Sequence, residues 1–311
     1  MFADRTSCTG PRRARVIPPI STVFTTWHFD LPAAILLAAA AVLYGVGVAT
    51  AGRKGHRWPI SRTFMFYVLG LGSYAVISFG ILSVYSYELR WAFTTRVALL
   101  LFCVPWLVGL GKPVALAEVA LDGAGRAILD RFLNSRFMRL IGNAVFEPLF
   151  TLAIFMLFVT PFAAVLRTSP ISQIVATVLI PLMGLLQVTP IMEETRRHTA
   201  VAITFEFIIS FGALIFDALP GILLRLHNVV LDGIPTVTGA VPGWFPSALR
   251  DQQLSGDILW FLAEVADIPV LIILFVRWAR IDRGEAQAID ELSDEEMDAL
   301  TQAHLHRQPG T

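Results

Sequence analysis

Residues 31–49 read LPAAILLAAAAVLYGVGVA, nineteen positions without one charged side chain. A surface helix of a soluble domain needs a polar face, and this run has none. It matches the length a helix needs to cross the hydrocarbon core of a bilayer, about 20 residues. A helix is the form it must take, because lipid offers no partner to an unpaired peptide group. Comparable runs follow at roughly 62–87, 91–111, 146–166, 170–192, 198–218 and 257–278. The composition agrees: 55% of the chain is hydrophobic and 15% charged, against about 25% charged in ordinary soluble domains. The alternating ten-residue strands of a membrane barrel do not occur. The expectation is an all-α integral membrane protein, a bundle of about seven transmembrane helices embedded in the lipid bilayer.

Zero net charge gives no reason to expect nucleic acid as a partner. Cys8 lies in a polar tail and Cys103 in an apolar run, so no disulfide is expected, and no C-x-x-C pair occurs. Residues 1–30 lack the continuous apolar core of a cleavable signal, so the first span would direct the chain to the membrane. The expected organisation is an N-terminal tail at 1–30, a membrane domain at 31–279 and an acidic tail at 280–311.

Seven crossings place the termini on opposite sides. Fifteen of the 24 Lys and Arg fall in the loops near 50–62, 112–145 and 193–197 and in the C-terminal tail. Positive charge collects on the cytoplasmic side, which puts the C-terminus in the cytoplasm and the N-terminus outside. Arg5, Arg12, Arg13 and Arg15 oppose this, but lie far from the first span. Residues 125–141 interleave Arg126, Arg131, Arg136 and Arg139 with large apolar side chains, as in a helix lying in the cytoplasmic interface. In the acidic tail, Ser293 and Glu296 have the spacing of a capping box, and His304 and His306 form a weak H-x-H pair.

Ionisable residues inside spans are costly and usually turn inward to find partners. Four stand out: Arg96 in the third span, Glu206 in the sixth, and Glu264 and Asp267 three apart in the seventh. They read in two ways. Arg96 pairs with one of the acids, or the three carboxylates form a proton path. Enzymatic signatures are missing: there is no G-x-x-x-x-G-K-[ST], no H-E-x-x-H and no G-x-S-x-G.

The polar stretch before the last span is DQQLSGDILW at 251–260. With its Asp251, Gln252, Gln253, Gly256 and Trp260, it resembles the opening of the last helix in CtaG-type cytochrome c oxidase assembly proteins. Other stretches resemble that family in the same order: WHFDLPAAILLAAAAVLYGVGV at 27–48, RWPISR at 57–62, PWLVGLGKPVAL at 105–116, GLLQVTP at 184–190 and RWARIDRGEAQAIDE at 277–291. The resemblance implies a seven-helix protein of the bacterial inner membrane that helps deliver copper to the oxidase. It also implies histidine ligands near the outer ends of the third and fifth helices.

Those histidines are absent. Spacing from Pro105 puts the third-helix pair at Phe93 and Val97, with Arg96 in place of an intervening glutamine. Spacing from Gly184 puts the fifth-helix pair near Gln173 and Thr177. Phenylalanine and valine bind no metal, and amide and hydroxyl oxygens suit copper(I) poorly beside thiolate, thioether or imidazole. Three functional expectations follow. The first is a CtaG-like assembly factor or accessory subunit that contacts oxidase subunits or other respiratory membrane proteins without copper at the family positions. The loop 219–256, with Trp244 and Phe245, offers a contact surface for it. The second is copper delivery through other ligands, His28 and His227 with Cys8 or methionines. The third is a proton-coupled transporter built on Glu206, Glu264 and Asp267.

Overall fold

The computed structural model describes residues 18–143, 145–192, 200–232 and 242–290, apart from the side chains of 147, 200–203, 206 and 284–290. Cys8, Ser293, Glu296, His304, His306 and the Glu206 side chain therefore lie outside the described residues. The described chain is helical, with no strand among those residues. Six helices are long and apolar enough to cross a membrane: Leu31–Arg53, Ile60–Tyr85, Arg90–Gly109, Pro170–Met192, Phe207–Leu226 and Ala248–Arg283. A seventh crossing is broken. Pro148–Val159 and Phe162–Thr168 meet at 94°, with Pro161 at the corner. Counted as one span, this pair is the fourth in chain order. The first, third, fifth and seventh spans begin at one end of the bundle, called here the upper end.

The sixth span continues to Leu226 and the seventh begins at Ala248, so the expected loop at 219–256 contracts to 227–247. Helical periodicity hides the reason. Asp251, Gln252 and Ser255 of DQQLSGD are buried, and their side chains turn toward neighbouring helices. Trp244, expected on a contact surface, is buried against Tyr85, with ring centroids 5.2 Å apart. The expected interfacial helix is two helices, Gly123–Leu133 and Arg136–Ile141, divided where Ser135 caps the second through the Met138 N–H. Arg126 is held there by Glu118 and Asp130 of this chain, at 3.3 and 3.1 Å.

The third and fifth spans approach closely for a reason visible in the sequence. Pro105 has no N–H to offer the Leu101 carbonyl one turn earlier. The helix widens to a π-turn over Leu99–Cys103, the usual relief for such a break. Gly184 packs onto the freed carbonyl, so closely that a Cβ there would stand 2.0 Å from Leu101 O and 2.5 Å from Pro105 Cγ. The sixth and seventh spans, the most extensively paired, use the same device. A Cβ on Gly256 would stand 2.5 Å from Gly221 O. Replacing Gly184 by alanine should therefore push the third and fifth spans apart. The expected loss is about 1–3 kcal/mol, read as a lower denaturation midpoint in detergent, and an unchanged midpoint would refute the close contact.

Candidate functional site

Five buried charged side chains lie at the upper end: Arg90, Arg96, Arg167, Asp232 and Asp251. A buried charge persists only with partners, and each has them. Arg96 projects from the third span toward the fifth. One terminal nitrogen donates to Gln173 Oε1 at 2.5 Å, the other to Thr177 Oγ1 at 2.6 Å. The second nitrogen also lies 3.8 Å from Asp30, whose other oxygen caps the first span by accepting from the Ala33 N–H. Gln173 is fixed in turn: Ser86 donates to its Oε1 at 3.1 Å, and its amide donates to Arg167 O at 2.8 Å. Tyr74 donates to Thr177 O at 3.1 Å. Arg96 therefore joins the first, third and fifth spans, and the second reaches the same point through Tyr74.

The second group answers why the last helix opens with DQQ. The third span starts at Arg90 with no capping side chain of its own, which leaves first-turn N–H groups without intrahelical partners. Asp251, from the seventh span, supplies the cap. Its two oxygens accept from the Arg90 and Trp91 N–H groups at 2.8 and 2.9 Å. Gln252 Oε1 accepts from the Arg90 guanidinium at 3.0 Å and from the Leu231 N–H at 2.9 Å, while its amide donates to Val229 O. The Arg90 guanidinium also donates to Phe158 O. Arg167 donates to the Tyr87 and Glu88 carbonyls and lies 3.4 Å from Asp232, which is also 3.8 Å from Arg90. Ser255 and Thr94 close the layer at 2.8 Å. Most spans thus meet in one buried polar layer.

The family model for the cytochrome c oxidase caa3 assembly factor (Caa3_CtaG) matches residues 42–281. The chain belongs to this family. Similar proteins include uncharacterized proteins of Mycobacterium bovis and Mycobacterium tuberculosis, each 26% identical over 289 residues, and one of Mycobacterium leprae at 25%. These alignments cover 89% of this chain and 43% of each relative, so the chain spans less than half the length of the curated relatives it matches. No solved structure matches the chain.

Within this Caa3_CtaG member, Arg96, Gln173 and Thr177 come together in one bonded group. Phe93 and Val97 turn into the adjacent apolar core with Phe155, Phe158 and Ala176, and Phe93 meets Phe158 edge-on at 5.8 Å. Asp251 and Gln252 are the buried capping pair. Gln253 accepts a long bond from Arg250 at 3.5 Å, Gly256 forms the helix crossing with Gly221, and Trp260 is 41% exposed. The carboxylate beside Arg96 is Asp30, a residue outside the four intramembrane charges read from the sequence. Glu264 instead accepts from Trp260 Nε1 at 2.5 Å, and Asp267 lies one turn further along the same helix. His28 and His227 are both exposed. Among the described residues, no three His, Cys, Asp or Glu are grouped to hold a metal.

Arg90, Arg167 and Asp232 were missed because each sits at a span end, where sequence reading assigns charge to solvent. The available signal was Asp251 itself: an acid in a stretch that resembles a known helix opening needs a partner at the same depth.

Proposed function

We propose that this chain serves the biogenesis of a haem–copper oxidase, as an assembly factor or bound accessory subunit, and that it acts by contact with oxidase subunits. Family membership supports the oxidase. The single observation favouring contact over copper handling is the Arg96 guanidinium lodged between Gln173 and Thr177. The resemblance places the family's copper ligands at these positions. Here the donor set is an amide oxygen and a hydroxyl already committed to a cation. A guanidinium has five N–H donors and no acceptor site, and copper(I) prefers sulfur and imidazole. Copper does not fit this arrangement. The polar layer instead holds the bundle rigid, so that its outer faces keep one shape for a partner. The upper end is read as extracytoplasmic from the distribution of Lys and Arg.

Affinity purification of the full chain from native membranes in mild detergent, followed by mass spectrometry, tests the contact. Oxidase subunits should co-purify in fixed proportion. Their absence, with the bundle intact, would contradict the proposal.

A further inference from the structure

The apolar stretch of the seventh span runs from Ile258 to Val276, nineteen residues with two ionisable side chains, Glu264 and Asp267. Charged groups mark both its ends. Asp257 pairs with Arg225 at 2.9 Å at the upper end, and Arg277 donates to Ile191 O at the lower. The rise of a helix makes the distance between them about 30 Å, the thickness of the hydrocarbon layer. Glu264 lies seven residues below Asp257, about 10 Å into that layer.

Glu264 is half-buried, at the edge of the bundle. It stands among lipid-facing side chains: Trp260 at 41% exposure, Phe261 at 66%, Val265 at 44% and Ile268 at 49%. Among the described residues, Trp260 Nε1 donates to it and no cation lies within ion-pair distance. The contrast with the upper end is sharp, because Arg90, Arg96 and Arg167 each have a carboxylate within 4 Å. An acid at membrane depth ordinarily faces inward and pairs, because hydrocarbon solvates it so poorly. Glu264 meets no cation among the described residues, and a cation for it would come from outside this chain. Lipid headgroup cations lie at the interface, too shallow to reach it. A second copy is no better: a two-fold contact through this face brings Glu264 against Glu264, and the stretch from 258 to 276 carries no Lys or Arg to offset them.

We infer that the exposed face of the seventh span around Glu264 is the docking site for a transmembrane helix of another polypeptide, one that presents a lysine or arginine to Glu264. This deepens the contact function proposed above, and rests on it only for the identity of the partner.

A photo-crosslinking side chain at Ile268, in the full chain in native membranes, tests the docking face. The same group at Ile35 of the first span, 61% exposed, is the control. The expected adduct at Ile268 is a peptide from a transmembrane helix containing a lysine or arginine. Glu264→Gln keeps an oxygen for the Trp260 N–H but removes the charge. It should lower that adduct about tenfold, the size of a strong interhelical polar contact, without changing thermal stability or the Ile35 pattern. Adducts at Ile268 with lipid alone or with a second copy would overturn the inference, as would a yield unmoved by Glu264→Gln. A basic helix from a membrane protein outside the oxidase would leave the docking face standing and refute the oxidase role. Oxidase subunits that co-purify while Ile268 meets only lipid would do the reverse.

Discussion

Replacing Asp251 by alanine is expected to cost about 3–5 kcal/mol, because two hydrogen bonds to a buried charged acceptor, worth about 1.5–3 kcal/mol each, are lost. The Tm in detergent should fall by roughly 10 °C. Two losses combine. The Arg90 and Trp91 N–H groups lose the acceptors that cap the third span, and a missing cap alone costs about 1 kcal/mol. The buried Arg90 guanidinium also loses a nearby negative charge, leaving Asp232 at 3.8 Å. Asp251→Asn keeps one acceptor and should fall between wild type and alanine. If alanine proved no worse than asparagine, the cap would contribute nothing and the reading of DQQ as an intramolecular clamp would be wrong.

Arg96→Met should be the next most damaging change, at about 3 kcal/mol. Methionine fills part of the volume but leaves Gln173 and Thr177 without their shared donor. It also removes the cation beside Asp30. Arg96→Lys is not conservative at a forked site. A single ammonium can reach Gln173 or Thr177 more easily than both, and about half of the loss should remain. A double-mutant cycle of Arg96→Met with Gln173→Leu separates the pair from the site. Coupling of about 1 kcal/mol or more is expected for a charged hydrogen bond. Additive effects would show that the two side chains merely lie near each other.

How far the sequence reached can be judged from particular residues. The 31–49 run was legible because lipid imposes one demand, an uncharged stretch of sufficient length, and the first span begins at Leu31 as read. The seventh span was read as starting at 257 because Asp251, Gln252 and Gln253 break the apolar run. Its true start at Ala248 follows from tertiary contacts that hydropathy cannot register. The fourth span reads as one run at 146–166, because hydropathy does not register the 94° corner at Pro161. At the candidate site, family spacing brought Arg96, Gln173 and Thr177 into one region, and they are bonded there. Their acid was looked for inside the spans, whereas Asp30 comes from the cap preceding the first. A residue one position outside a span looks solvated in a linear reading, whereas Asp30 is largely covered in the fold.

On the proposed reading, the Arg96 guanidinium fills the place between the third and fifth spans and leaves none for a soft metal. Copper per chain, measured on protein purified from copper-supplemented cells, tests it most directly. The expected content is far below one copper per chain, unchanged in Gln173→Ala and Thr177→Ala. One copper per chain, lost on either substitution, would contradict it.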